Sequence, residues 1–189
     1  MAEAGGWISY DWSDDGETVI FSGSNSIESV SVDVGVITPI VESDFSEGRP
    51  ALSPDEQWIA YESDEDGDLD VYVRPFPDID NGKWKVSTDG GTSPLWSPDG
   101  TELYYLHGDT MMAASIATEP SFNAGNPMAL FEGRYFGIPA FKNFDLSPDG
   151  TRFLMMKQSG TQSDDSLAPL GLVVVFNWFE ELQRLFATS

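Results

Sequence analysis

The sequence predicts an all-β fold, a β-propeller with four recognisable four-stranded antiparallel blades, and two observations carry that prediction. First, the tetrad Ser-Pro-Asp-Gly or a near copy of it recurs four times along the 189 residues, at spacings of 40, 44 and 50 residues. Second, each tetrad is followed by short apolar runs that are separated by turns. A period of about 40–50 residues with several strands in each unit is typical of propeller blades.

The repeats divide the chain into four predicted blades, the last of which lacks an obvious fourth strand. Their boundaries are residues 7–42, 48–88, 92–133 and 141–177. After the last blade, Trp178, Leu182 and Leu185 fall at helical spacing, which predicts a short helix over residues 178–187. This helix is expected to pack over the edge of the last blade or to form a dimer contact.

Hydrophobic positions in the blades predict which residues are buried. Val30, Val32 and Val34 alternate with polar residues between positions 28 and 34. This period of two predicts a strand with one buried face. The residue that precedes the serine of each tetrad is predicted to be largely buried, at an equivalent place in every blade. These four residues are Trp12, Leu52, Trp96 and Leu146.

The tetrad has the chemistry of a hairpin turn. Proline fixes φ, aspartate accepts a hydrogen bond from the backbone two residues later, and glycine adopts a positive φ. Asp14 replaces the proline in the first copy and Glu56 replaces the glycine in the second, so these two turns are expected to differ locally. The recurring aspartates are interpreted as turn residues and not as catalytic carboxylates. They are Asp15, Asp55, Asp99 and Asp149.

Composition excludes several classes of function. Asp and Glu number 32 against nine Lys and Arg, which gives a formal net charge of −23. Such a surface repels nucleic-acid phosphates and anionic lipid and favours cations, basic partners or high salt. The absence of cysteine excludes disulfides and thiolate metal sites. No apolar run approaches the ~20 residues of a membrane span, and the first six residues do not resemble a signal peptide.

Several stretches of the chain carry a family resemblance. Residues 49–64 read RPALSPDEQWIAYESD and residues 70–76 read DVYVRPF, and both resemble the repeat of the TolB-type β-propellers. The join between blades over residues 85–100 matches the same pattern. The ending, residues 146–182, is similar to the C-terminal propellers attached to many bacterial serine/threonine kinases.

This resemblance implies a periplasmic or other extracytoplasmic module, or a sensor module, that binds protein partners. It transfers no catalytic residues. Relatives usually have six or more blades, whereas this chain holds four. Three arrangements are open: four blades that close a small ring, a part of a larger propeller, or two chains that complete one ring by self-association.

Enzyme motifs are weak in this sequence. Residues 91–95 approach a nucleophile elbow but lack its final glycine. The single histidine, His107, stands beside Gly108 in a predicted hairpin, and it is interpreted as an exposed turn residue. No phosphate-binding glycine loop is present in the sequence. The sequence therefore predicts that the chain is not an enzyme.

An acidic run is the best candidate for a metal site. Asp64, Asp66, Asp68 and Asp70 alternate in a predicted loop, and clustered carboxylates suit Ca²⁺. The spacing departs from the EF-hand rule, because the twelfth position is Val73, which cannot ligate through its side chain. The alternative is a solvated hairpin with no cofactor.

A partner-binding site is predicted at one mouth of the propeller. The loops that enter the first strands of the blades gather at that mouth, which we call the entry mouth. They are residues 43–49, 89–93 and 132–143, and they contain Arg49, Arg134, Tyr135, Phe136 and Phe141. Aromatic residues and arginine are common anchors of protein interfaces. The alternative is that the aromatic residues plug a narrow channel.

Three functional hypotheses follow from the sequence. The first is a non-enzymatic propeller that acts as a binding or scaffold module, mediating protein–protein interaction or ligand sensing within a larger bacterial protein. The second is a gating or substrate-selecting propeller of a hydrolase whose catalytic domain is absent from this chain. The third is a structural propeller stabilised by Ca²⁺. A catalytic domain elsewhere in the full-length gene would distinguish the first two.

Overall fold

The computed structural model describes residues 8–133, 144–158 and 170–176. Within these ranges the chain forms antiparallel β-sheets, together with one 3-10 turn at Ile79–Asn81. No helix in this described part is long and apolar enough to cross a membrane. The helix predicted over residues 178–187 lies outside the described residues.

Each sheet begins with a strand that leads into a tetrad. The first sheet contains β1 (Ile8–Trp12), β2 (Thr18–Ser22), β3 (Ser26–Ser31) and β4 (Ile37–Glu42). The second contains β5 (Glu47–Leu52), β6 (Trp58–Ser63), β7 (Asp70–Pro75) and β8 (Trp84–Lys85). The third contains β9 (Thr92–Trp96), β10 (Glu102–His107), β11 (Thr110–Ala117), β12 (Asn123–Ala124) and β13 (Met128–Glu132). The fourth contains β14 (Phe144–Leu146), β15 (Arg152–Gln158) and β16 (Leu170–Phe176).

The strands follow one another in each sheet, so that every sheet is an antiparallel meander. In the third sheet the place of the outer strand is shared, because β12 and β13 both pair with β11. The fourth sheet has three strands among the described residues. We refer to the four sheets as blades 1 to 4. The all-β propeller architecture that the repeats predict is confirmed.

Consecutive blades stack face to face through three hydrophobic cores. Between blades 1 and 2 the core contains Ile20, Ile27, Val41, Leu52, Ile59, Tyr61 and Tyr72. Between blades 2 and 3 it contains Ala51, Ala60, Val71, Val73, Val86, Trp96, Leu103, Tyr105, Ala114, Ile116 and Phe122. Between blades 3 and 4 it contains Tyr104, Met111, Ala113, Phe144, Phe153 and Met155. Burial of each large side chain removes apolar surface from water and contributes about 1.5–3 kcal/mol to folding.

All four tetrads form the same turn. The backbone N–H of each serine donates to the carbonyl oxygen five residues later, at 2.8–2.9 Å. Each serine hydroxyl donates to the aspartate of its own tetrad, at 2.5–2.7 Å. That aspartate also accepts the N–H two residues later, at 2.9–3.1 Å. The prediction that Asp15, Asp55, Asp99 and Asp149 are turn residues is confirmed.

The prediction that the turns with Asp14 and Glu56 differ locally from the other two is wrong. Glu56 adopts φ of 54°, close to the 70–71° of Gly16, Gly100 and Gly150 at the same position. The two departures from the tetrad compensate each other, because the backbone N–H of Asp14, which a proline would lack, donates to Glu56 Oε1 at 2.5 Å. A glycine in place of Glu56 would offer no such acceptor. The two substitutions therefore meet across the boundary between blades 1 and 2.

Burial at the ends of the lead strands departs from the prediction in part. Trp12, Leu52, Trp96 and Leu146 do occupy equivalent places, each at the last position of its lead strand. Leu52 and Trp96 are buried, whereas Leu146 is half-buried and Trp12 is exposed. The indole of Trp96 packs against the preceding blade and donates from Nε1 to the carbonyl oxygen of Ala51, at 3.1 Å. Trp12 has no preceding blade among the described residues.

The strand predicted over residues 28–34 also ends earlier than expected. β3 stops at Ser31, because the N–H of Gly35 donates to the Ser31 carbonyl oxygen and closes a turn there. Val32 and Val34 are consequently exposed, and Ile27 is the residue of β3 that enters the core.

Candidate functional site

The four tetrads converge on one cavity at the axis of the propeller, which we call the tetrad mouth. The cavity has a volume of about 230 Å³ and is lined by residues from all four blades. Its apolar wall contains Trp12, Leu52, Leu95, Trp96, Leu146 and the prolines Pro54, Pro98 and Pro148. Its carboxylates are Asp11, Asp14, Glu56 and Asp145.

Hydrogen bonds between consecutive blades hold this wall in place. Asp11 accepts the backbone N–H of Trp12 on Oδ1, at 2.9 Å, and that of Leu52 in the next blade on Oδ2, at 2.8 Å. Asp145 stands at the position of Asp11 in blade 4 and accepts the N–H of Leu146, at 3.0 Å. The lead strands therefore present one acidic side chain each in blades 1 and 4, immediately before the exposed or half-buried apolar residue.

The electrostatics of the tetrad mouth favour cations. Four carboxylates line the cavity, and none of its lining residues in the described part of the chain is Lys or Arg. The exposed indole of Trp12 adds an aromatic face beside Asp11. Aromatic faces and carboxylates attract ammonium and guanidinium groups together. The cavity is thus suited to a cationic side chain and unsuited to a phosphate or carboxylate.

The entry mouth holds a partly buried ion pair where the sequence predicted a binding residue. The Nη1 atom of Arg49 lies 2.5 and 2.6 Å from the two carboxylate oxygens of Glu62, and their side chains are only 16% and 9% exposed. The Nε atom of Arg49 is buried without a hydrogen-bond acceptor in the described residues. Arg49 is therefore held inside the fold by Glu62.

This ion pair also joins neighbouring blades through the backbone. Arg49 and Ser93 occupy equivalent places in β5 and β9, and both adopt a positive φ, of 43° and 57°. The N–H of Arg49 donates to Ser22 of blade 1, at 3.1 Å, and the N–H of Ser93 donates to Glu62, at 3.0 Å. In the sequence, this repeated hydrogen bond from the N–H groups of Arg49 and Ser93 is marked by the proline that follows each of them.

The remaining residues predicted at the entry mouth are Arg134, Tyr135, Phe136 and Phe141. All four lie outside the described residues. Their role as partner anchors therefore stays a prediction.

The acidic run has protein partners instead of a metal-like arrangement. Asp64 accepts the N–H of Ser46, at 2.8 Å, and Asp70 is buried between Ser87 and Lys85. Asp66 accepts hydrogen bonds from Lys85 and from Tyr72, and the bond from Lys85 is the largest cause that lowers the pKa of Asp66.

The fourth carboxylate of the run, Asp68, is exposed. The described part of the chain contains no group of three or more His, Asp or Glu side chains arranged to hold a metal ion. The run is hydrogen-bonded to its neighbours in the described structure, and a Ca²⁺ site at Asp64, Asp66, Asp68 and Asp70 stays a prediction.

The two residues closest to an enzyme motif do not form a catalytic pair. Ser93 is buried in β9, and its backbone N–H is bound to Glu62. His107 is exposed at the end of β10, in the hairpin that the sequence predicted. The two residues are not paired across the sheet, because Leu106 pairs with Thr92 and His107 pairs with Thr110 on the other side of β10, and no hydrogen bond joins Ser93 to His107 in the described structure.

Comparison with known proteins supports the fold and leaves the function open. No family model matches the chain. An uncharacterized protein of Agrobacterium fabrum is 26% identical over 164 residues, which cover 77% of this chain and 53% of that protein. The chain thus spans about half the length of that relative.

Solved structures show the same architecture. TolB from Acinetobacter baumannii matches with a TM-score of 0.63 and 14% identity, over 90% of this chain and 41% of that one. A putative TolB from Agrobacterium tumefaciens matches with a TM-score of 0.56 and 20% identity, over 69% and 51%. An oligogalacturonate lyase in complex with manganese matches with a TM-score of 0.57 and 18% identity, over 95% and 53%. The chain therefore has a TolB-like β-propeller fold, which binding proteins and enzymes share.

Proposed function

We propose that this chain is a non-enzymatic propeller module that binds a protein partner and that the tetrad mouth receives a cationic segment of that partner. The observation that supports this proposal is the composition of the axial cavity, which combines four carboxylates with an apolar and aromatic wall. Interfaces are commonly anchored by aromatic residues and arginine that enter a pocket. Here the pocket supplies the negative charge, so the partner supplies the arginine or lysine.

The charge of the whole chain also favours a basic partner. A net charge of −23 attracts a basic segment from a distance and raises the rate of encounter. The carboxylates at the mouth then act at short range, where a cation is partly removed from water. Nucleic acid and anionic lipid are disfavoured by the same charge.

The lack of a catalytic pair at Ser93 and His107 favours a binding role over hydrolysis by these two residues. Enzymes do occur among proteins of similar fold, as the oligogalacturonate lyase shows. A role as the gate of a separate hydrolase domain would also use the axial mouth, and in that case the cationic segment would belong to the substrate. The binding experiment applies to both roles.

Binding of a defined cationic probe tests this proposal. We expect a peptide of consecutive arginines to bind the chain and to change the tryptophan fluorescence, and an equally long peptide of glutamates to do neither. The double variant Asp14→Asn/Glu56→Gln should weaken binding by roughly 10-fold, because it removes two charges but keeps the hydrogen bond between positions 14 and 56.

A matched control separates site-specific binding from general attraction to an acidic protein. Asp33→Asn/Asp68→Asn removes the same charge from two exposed residues that do not line the cavity. If this control weakens peptide binding as much as Asp14→Asn/Glu56→Gln does, the tetrad mouth is not the site.

The entry mouth remains the second candidate for the partner site. Arg134, Tyr135, Phe136 and Phe141 combine cationic and aromatic character in an acidic chain, which is the feature that supports it. A natural partner that docks there would lose affinity on Tyr135→Ala and Phe136→Ala but not on Asp14→Asn/Glu56→Gln. A partner at the tetrad mouth would show the opposite pattern.

A further inference from the structure

Every blade has two faces, and equivalent positions on them can be compared along the chain. The face toward the following blade contains Ile20, Ala60 and Tyr104, each paired with the residue that precedes the last position of its lead strand. All three are at most 2% exposed, because the next blade covers them. Leu154 is the equivalent residue of blade 4, paired with Asp145, and it is 43% exposed.

The face toward the preceding blade shows the same contrast at the other end of the array. Leu52 and Trp96 are buried there, at 8% and 5% exposure, and Leu146 is half-buried, whereas their equivalent Trp12 is 58% exposed.

A second position on that face repeats the contrast. The N–H groups of Val32 and Ile116 make the same hydrogen bond, to the carbonyl oxygens of Glu17 and Thr101. Ile116 is buried against blade 2, while Val32 in blade 1 is 51% exposed. The exposed apolar surface of blade 1 therefore includes both the last position of the lead strand and the outer part of the blade.

Blades 1 and 4 do not cover each other in the described part of the chain. The three buried cores join blade 1 to 2, blade 2 to 3 and blade 3 to 4, and none of them joins blade 4 to blade 1. The described array is therefore open there, with one exposed face of each type. These two types of face are the ones that pack together at every internal boundary.

We propose that a second copy of this chain covers both faces, head to tail, so that two four-blade arcs form one ring. Blade 4 of each copy would pack on blade 1 of the other, as blade 1 packs on blade 2 within one chain. Since each copy offers one face of each type, a twofold axis satisfies both contacts and closes the assembly. The tetrad mouth would then be completed by the lead strands of the partner copy.

The type of the exposed positions favours a second copy over an unrelated partner. Trp12 is the equivalent of Leu52 and Trp96, and Leu154 is the equivalent of Ile20, Ala60 and Tyr104. Within the chain another blade buries each of those five residues, so the complementary surface is another blade. This proposal does not depend on the proposed function, because assembly can be measured without any ligand.

Sedimentation velocity of the full chain over a series of protein concentrations tests the proposal. We expect a species of twice the chain mass, more strongly populated at high salt, because salt screens the repulsion between two chains of charge −23. Trp12→Asp and Leu154→Asp should each raise the dissociation constant by roughly 30-fold or more. Met128→Asp is the matched control, because Met128 is 48% exposed on β13 of blade 3, an internal blade that packs on blades 2 and 4 within the chain. It should leave the dissociation constant unchanged.

Mixing the two variants distinguishes the head-to-tail arrangement from other contacts. Trp12→Asp keeps an intact blade 4 face and Leu154→Asp keeps an intact blade 1 face, so an equimolar mixture should associate more strongly than either variant alone. A monomer at all concentrations and salt conditions would overturn the proposal, as would a dimer that only one of the two variants weakens. Circular dichroism of each variant checks that it is folded.

Discussion

At the scale of single residues, the tetrad tolerates departures when they compensate each other. Glu56 occupies a left-handed backbone conformation that costs a non-glycine residue about 1–2 kcal/mol. Its carboxylate offsets part of that cost by accepting the N–H of Asp14. A proline in place of Asp14 would remove the donor, and a glycine in place of Glu56 would remove the acceptor.

A double-mutant cycle tests this compensation. Glu56→Gly relieves the backbone strain but loses the hydrogen bond, whereas Glu56→Ala loses the bond and keeps the strain. We therefore expect Glu56→Ala to be less stable than Glu56→Gly by about 1 kcal/mol in urea unfolding. Asp14→Pro should destabilise the parent chain by about 1 kcal/mol and the Glu56→Gly variant by much less, because that variant has already lost the acceptor. Equal effects of Asp14→Pro in both backgrounds would show that the two residues are not coupled.

At the scale of elements, the tetrad turns link stability to acid pH. The serine hydroxyl and the backbone N–H groups bind the ionised aspartate and lower the pKa of Asp15, Asp99 and Asp149. The hydrogen bond from Ser147 is the largest cause for Asp149 and brings its pKa to about 2. A carboxylate whose pKa is lower in the folded than in the unfolded state stabilises the fold. This contribution is fully present above the unfolded-state pKa, near 4, and is lost as the pH falls toward the folded-state pKa.

The expected result is a loss of stability between about pH 4 and pH 2 that depends on the tetrads. Asp149→Asn should be less stable than the parent chain at neutral pH, and the difference should shrink as the pH falls through this window. Thermal unfolding at a series of pH values measures it. Asp68→Asn is the control, because Asp68 is exposed and lies outside the tetrads. A difference between Asp149→Asn and the parent that is independent of pH would exclude this cause.

At the scale of the whole molecule, the Arg49–Glu62 pair connects three blades. Arg49 and Glu62 bind each other in blade 2, the N–H of Arg49 binds Ser22 of blade 1, and Glu62 accepts the N–H of Ser93 in blade 3. Removal of one partner leaves the other charge buried without compensation, which is strongly destabilising.

Comparison of two arginine substitutions tests this role. Arg49→Met should lower the free energy of unfolding by about 3–5 kcal/mol, because it leaves the Glu62 carboxylate buried and unpaired. Arg152→Met is the matched control, since Arg152 and Asp149 form an ion pair with side chains that are 46% and 56% exposed. Its effect should stay below about 1 kcal/mol. If Arg49→Met is as mild as Arg152→Met, then Arg49 is not a structural residue, and its predicted role at the entry mouth regains support.

Much of the fold could be predicted from the sequence, because it depends on local signals that repeat. The tetrads mark each turn between the first two strands of a blade, and the strand order follows from short antiparallel connections. The equivalence of Trp12, Leu52, Trp96 and Leu146 was predictable for the same reason. Their exposure was not, because it depends on whether another blade lies beside each one.

By itself the sequence determined the all-β class, the four-fold repeat, the turn role of the tetrad aspartates and the acidic character of the surface. Each of these follows from local backbone chemistry or from composition. Only the tertiary structure decided that Arg49 is paired with the buried Glu62, that the carboxylates of the acidic run bind Lys85 and Ser87, and that Trp12 and Leu154 are exposed where equivalent residues of other blades are buried. These outcomes depend on side chains that are distant in sequence and meet only when blades stack, and a repeat pattern does not record which positions another blade covers.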